Sequence, residues 1–217
     1  HRIKQYLCRW CFESLPLDTL AREAAAIGYV GIDLVEPADW PILKKHGLVG
    51  TMTPSHTIVK GLNNPAYHAQ CLASIREAID ATAAAGFPNV ICFSGNREEH
   101  IPDHTGVMHT AAALKQIAAY AEEKNVTVCI ELLNSKVDHP AYMCDRSDWG
   151  AAVIRHVGLV FLLLAMAALV DHASLLLRVD LPIERFVISH RTAGLDDAFR
   201  RISFFGSTKV VLVGGAA

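Results

Sequence analysis

The chain has 217 residues, of which 52% are hydrophobic and 19% charged, enough to build one sizeable core and too apolar for a disordered chain. Its formal net charge of −2 and pI near 6.6 come without any Lys/Arg run, which argues against a nucleic-acid partner. The apolar, uncharged run Val157 to Val170 falls short of the roughly 20 residues a bilayer span needs, so a membrane partner is not expected.

In chain order, Ile3 to Cys8 reads as a first strand. Pro16 to Ile27 has helical spacing, and Gly28 sits where a C-cap falls. Gly31 to Val35 is a second strand, Pro41 to His46 a short helix ending at Gly47, and Leu48 to Thr53 a third strand broken by Pro54. Pro65 to Ala85 is a long Ala-rich helix stopped by Gly86. Val90 to Ser94 is a fourth strand, and Met108 to Lys124 a helix with Asn125 as its C-cap. Val126 to Glu131 is the fifth strand, and a helix follows from Ser147 to about Val157 with Gly158 as its stop. Leu159 to Leu164, Arg185 to His190 and Lys209 to Val213 read as strands six to eight, separated by weak helices at Val170 to Leu177 and Asp196 to Phe204. Strand and helix alternate through a single domain covering residues 1–217, which predicts an α/β fold of the (β/α)8 TIM barrel type. No GxGxxG or phosphate-loop pattern follows any strand, which weighs against an open doubly wound sheet.

The fifth strand carries the main chemical signal. An apolar run of this kind is buried on both faces, and it ends in a carboxylate, Glu131. Ligands gather at the carboxyl ends of parallel strands, and a carboxylate there needs a partner, a metal or a proton to offset its desolvation. The alternative is that Glu131 caps a nearby helix or pairs with Lys136. His56 follows Pro54-Ser55 after the third strand, where it either orients substrate or is an ordinary loop residue. Six cysteines are present: Cys8, Cys92 and Cys129 lie in strand-like apolar contexts and read as small core residues. Cys8 and Cys11 form a CxxC with no second pair at zinc spacing. Reduced thiols and a cytoplasmic setting are expected, no secretory signal preceding them.

Specific segments also carry a likeness. They include CRWCF at Cys8, GYVGIDLV at Gly28, DWPILKKHGL at Asp39 and TMTPSHTIVKGLN at Thr51. The series continues with REAIDATAAAGFPNVICFSGNR at Arg76, LKQIAAYAEEKNVTVCIELLNSKVDHP at Leu114 and YMCD at Tyr142. From about Ile3 to Gly158 the chain resembles the hydroxypyruvate isomerase family of the xylose isomerase-like TIM barrels. The resemblance implies an aldose–ketose isomerase that interconverts hydroxypyruvate and tartronate semialdehyde through an enediolate. It implies a divalent cation, Mg2+ or Mn2+, held by hard oxygen ligands. It also implies a small hydroxy-keto acid or sugar as substrate; the sequence leaves the oligomeric state open, a homo-oligomer included. Glu131 matches the family's first metal ligand and would also be catalytic. His56, Asn134, Lys136, His139 and Arg191 are the residues the resemblance offers for substrate.

The likeness breaks in the last third. Ala165 stands where the strand-six Asp belongs, and Ala168 where a substrate-contacting His is usual. Arg191 takes the place of the strand-seven His or Gln, and the strand-eight Glu position falls near Ala216. Residues 159–217 therefore depart from the family pattern, and two readings stand. Either the enzyme is divergent or inactivated, or the sequence after about Gly158 is not the protein's own. Two other functions compete with the isomerase: a catalytically impaired barrel that binds a sugar acid, and a repair endonuclease on the same barrel. The last would need a basic surface that the charge does not supply.

Overall fold

A computed structural model describes residues 4–158 and the backbone of residues 210–214. The strands β1 (Tyr6–Cys8), β2 (Gly31–Asp33) and β3 (Val49–Gly50) lie side by side in that order and run parallel. A second parallel sheet holds β4 (Asn89–Cys92), β5 (Thr127–Leu132) and β6 (Val210–Gly214). A single parallel bridge, Thr53 to Val90, joins the two sheets into one arc.

Four helices cross between these strands or cover them: α1 (Leu17–Ile27), α2 (Trp40–Lys45), α3 (His68–Ala85) and α4 (Asp103–Glu123). A fifth, α5, covers residues 147–158. The order of strand and helix, with parallel pairing throughout the sheets, is that of a xylose isomerase-like TIM barrel. Among the described residues the arc is open.

The helix stops follow the sequence. Gly28 caps α1 at φ 96° and Gly86 caps α3 at φ 72°, both left-handed conformations that glycine adopts without a Cβ penalty. Each cap N–H reaches back to the last carbonyls of its helix. Asn125, expected as the cap after α4, also takes a left-handed φ of 55°.

Several strand and helix ends differ from the sequence reading by one or two residues, β1 begins at Tyr6 rather than Ile3, and three further boundaries differ by more than two. The third strand is only Val49–Gly50, because the chain turns aside before Thr53 bridges separately to Val90. The long third helix opens with a 3-10 turn at Pro65–Tyr67, where the Asn64 side chain accepts the N–H of Ala66, and becomes α-helical at His68. Helix α4 starts at Asp103 rather than Met108, with Pro102 ahead of it and an acidic residue in its first turn. The final strand is Val210–Gly214, and it pairs with β5. The expected elements between Leu159 and Phe204 lie outside the described residues.

Two hydrophobic clusters fill the space between strands and helices. Leu20, Ala24, Ile32, Trp40, Leu43 and Phe87 belong to the smaller one, where the Trp40 and Phe87 rings meet edge to face at 4.9 Å. The larger takes Ile75 and Ile79 from α3, Leu114 and Ile117 from α4, and Val90, Val128 and Ile130 from the strands. Each such side chain, fully buried, contributes about 1.5–3 kcal/mol.

Candidate active site

Strand alternation decides which side chains look into the barrel. On β5, Val128 and Ile130 belong to the large cluster under the helices, so Cys129 and Glu131 face the other way, inward. On β2, Ile32 packs in the smaller cluster, which sends Asp33 inward as well. Cys8 on β1 is the register partner of Asp33. The carboxyl ends of β1, β2 and β5 thus bring Cys8, Asp33 and Glu131 to one mouth.

Electrostatics ties the three together. Burial raises the Glu131 carboxyl above its ordinary range, and the charge of Asp33 raises it further. Burial pushes Asp33 up to about 6. The Cys8 thiol is pushed up to about 11, chiefly by burial, with Cys11, Asp33 and Glu131 adding to the rise. One Asp33 oxygen, Oδ1, is buried and has no hydrogen-bond partner among the described residues. The Glu131 carboxylate makes no hydrogen bond or ion pair with any described residue, and none forms with Lys136. Two half-buried carboxyls with little compensation resist carrying charge together and favour keeping a proton between them.

The remaining expected residues take several places. His56 lies after β3, and both ring nitrogens engage main chain: Nδ1 lies 3.1 Å from the Thr57 carbonyl and Nε2 accepts the Phe93 N–H at 3.2 Å. That arrangement sets the proton on Nδ1. Burial lowers the ring's basicity, which keeps it neutral. Asn134, Lys136 and His139 share the loop after Glu131. The Asn134 Oδ1 accepts the Lys136 N–H at 2.9 Å, and the His139 N–H donates to the Asn134 carbonyl at 2.9 Å, so the segment closes on itself as a turn. Arg191, Ala165, Ala168 and Ala216 lie outside the described residues.

A divalent cation fits the described residues poorly. No three His, Cys, Asp or Glu side chains among them come together so that they could hold an ion. Asp33 was not singled out by the sequence. Its only signal there is an acidic residue two places before the end of an apolar strand run.

A family model described as "Xylose isomerase-like TIM barrel" matches residues 21–166. Similar solved structures include an AP endonuclease, family 2, from Brucella melitensis, at 15% identity and a TM-score of 0.60, with 71% of this chain and 65% of that one covered. D-allulose 3-epimerase from Methylomonas sp., in complex with D-allulose, aligns at 18% identity and TM-score 0.55, over 72% of this chain and 59% of that one. The IOLI protein with a binding zinc atom aligns at 12% identity and TM-score 0.58, over 71% and 59%. The chain spans 59–65% of the length of these three structures, and at such identities the likeness is one of fold. No curated protein matches the chain. With two thirds of its length matched by the family model, and with strands, helices and mouth arranged as described, the chain belongs to the xylose isomerase-like TIM barrel family.

Proposed function

We propose that the protein is a hydroxypyruvate isomerase-like aldose–ketose isomerase acting through an enediolate, with residues 1–217 forming one barrel domain. The observation that carries this reading is the inward-facing carboxyl of Glu131, without a hydrogen-bond partner among the described residues, close enough to Asp33 at the mouth for the two charges to interact. Isomerisation of hydroxypyruvate moves one carbon-bound proton from the hydroxymethyl carbon to the neighbouring carbonyl carbon, while the hydroxyl proton passes between the two oxygens. A carboxylate of raised basicity suits the first transfer, and Glu131 takes that part. Asp33, holding a proton up to about pH 6, suits the second. His56, Asn134, Lys136, His139 and Arg191 are proposed to orient the substrate.

Mg2+ or Mn2+ belongs to the proposal through one oxygen ligand, Glu131, and would polarise the substrate oxygens if bound. The described residues do not complete a site for it, so the proton transfers are assigned to the protein's own groups. The substrate is a small hydroxy-keto acid or sugar, with no nucleic acid or membrane involved and a homo-oligomer in a cytoplasmic setting.

A second reading is a catalytically impaired barrel that binds a sugar acid. It is favoured by Ala165, Ala168 and Ala216 standing at positions where the resemblance expects polar groups. A coupled assay of hydroxypyruvate conversion with added Mg2+ or Mn2+, run beside Glu131→Gln, separates the two. Wild-type turnover no faster than the variant's removes the isomerase.

A further inference from the structure

The ladder between β4 and β5 is interrupted at the residue that carries the carboxyl. Their register runs from Asn89 opposite Thr127 to Cys92 opposite Ile130, with the Thr127 N–H donating to the Pro88 carbonyl at 2.9 Å. Continued by the parallel pattern, the next rung would join the Ser94 N–H to the Glu131 carbonyl. A phenol stands there instead. The Tyr142 hydroxyl accepts the Ser94 N–H at 3.0 Å and donates to the Glu131 carbonyl oxygen at 2.9 Å. Tyr142 and Ser94 are both wholly buried, so the Ser94 N–H has no water as a substitute partner.

The segment that brings Tyr142 to this gap is fastened along its length. The Met143 N–H donates to the Gly95 carbonyl at 3.0 Å, the Arg97 N–H to the Ala141 carbonyl at 2.7 Å, and the Cys144 N–H to the Ser94 hydroxyl at 2.9 Å. The Arg97 guanidinium donates to the carbonyls of Tyr142 and Met143. It also pairs with Asp145 at 3.0 Å and with Asp103, at the start of α4, at 3.2 Å. One cation therefore gathers the loop after β4, the first turn of α4 and the end of the loop after β5.

We propose that Tyr142 is a positioning residue for Glu131: its inserted hydroxyl spreads the ends of β4 and β5 and fixes the angle at which the carboxyl enters the mouth, with Arg97 holding the tyrosine in place. The proposal rests on the reading of Glu131 as the proton-handling group. Tyr142 does not touch substrate; it acts through the main chain of Glu131. Removing the hydroxyl lets the two strand ends close or leaves the buried Ser94 N–H and the Glu131 carbonyl without this partner, and either outcome re-aims the carboxyl.

The test is Tyr142→Phe, which keeps the ring. Its control is Thr82→Val, which removes a buried 2.8 Å side-chain hydrogen bond to Thr53, the residue that bridges to Val90 near the start of β4 rather than at the gap beyond its end. Tyr142→Phe is expected to lower kcat roughly tenfold to a hundredfold with KM within about twofold, while Thr82→Val leaves kcat unchanged. Equal kcat in wild type and Tyr142→Phe, or an equal loss in both variants, overturns the proposal. A second readout needs no turnover. The side-chain carboxyl resonance of Glu131, assigned through Glu131→Gln in carbon-13 glutamate-labelled protein, is expected to move in Tyr142→Phe and to stay in Thr82→Val. If it moves in a protein without isomerase activity, the positioning stands and the proposed function falls. If it does not move, the positioning falls whatever the activity. Should Tyr142→Phe fail to fold, Arg97→Gln carries the same two measurements with the same directions expected, and no change in either overturns the proposal.

Discussion

A β-carbon placed on Gly106 would lie 2.1 Å from the Met143 sulfur. The first turn of α4 thus presses on the segment that runs past the mouth, with only a hydrogen between them. Gly106→Ala forces Met143 to withdraw, and Met143 lies directly beside Tyr142 in the chain. The expected cost is about 1–3 kcal/mol of stability, read by urea unfolding, despite the better helix propensity of alanine. A stability equal to or above wild type would show that Met143 yields freely.

Asp33 gives the protein a pH dependence of unusual sign for an aspartate. Its folded value of about 6 exceeds the ordinary 3.8, so the native state binds more protons than the unfolded state between those two values. Stability therefore falls as pH rises through this window, and the full penalty is present above it. Asp33→Asn is expected to be more stable than wild type at pH 7.5 by about 1–2 kcal/mol, after allowance for solvent screening. The gain is expected to vanish below about pH 4, and unfolding curves at the two pH values check it.

Glu131→Gln separates stability from chemistry. Among the described residues the carboxyl makes no hydrogen bond that the amide would lose, so the thermal midpoint is expected to hold or rise at neutral pH. Turnover of hydroxypyruvate is expected to drop by about 10²–10⁴, the usual contribution of a general base. A variant that both unfolds and loses activity would point to a structural carboxylate instead.

His56 is a main-chain latch between the loop after β3 and the end of β4. Its Nε2 must stay unprotonated to accept the Phe93 N–H. Because the folded ring is less basic than the usual 6.5, its contribution is complete above that value. It is lost as pH falls through the lower folded value. His56→Ala is expected to cost about 1–3 kcal/mol at pH 7.5 and progressively less under acid conditions, measured as the difference in unfolding free energy along a pH series. A constant difference across the series would contradict the latch.

What the sequence disclosed follows from the range of each interaction. Gly28 and Gly86 mark helix ends because the left-handed cap is a local demand. The approach to Glu131 is legible because a doubly covered strand needs an unbroken apolar run, and a lone acid at its end stands out. Asp33 is just as exposed to the mouth, but its strand is three residues long and offers no such contrast. The sequence pattern starts α4 five residues late because Gly106 weakens the helical signal there, and the reason for that glycine sits 37 positions away in Met143. The bond from Ser94 to the Tyr142 hydroxyl spans 48 positions, so no window of sequence shows it. The metal-ligand positions implied by the resemblance beyond Glu131 lie outside the described residues.

The Thr53–Val90 bridge divides the described chain unevenly. On one side lies a small cluster built on α1 and α2; on the other, the large cluster built on α3 and α4. Few main-chain links cross that seam, among them the Thr53 N–H to the Asn89 carbonyl and the Ile91 N–H to the Thr53 carbonyl, both at 2.9 Å. Amide exchange should accordingly proceed in two cooperative blocks, the first fifty residues releasing their protons ahead of the rest. Because Asp33 belongs to the early block and Glu131 to the late one, their opposition would dissolve while most of the molecule is still folded.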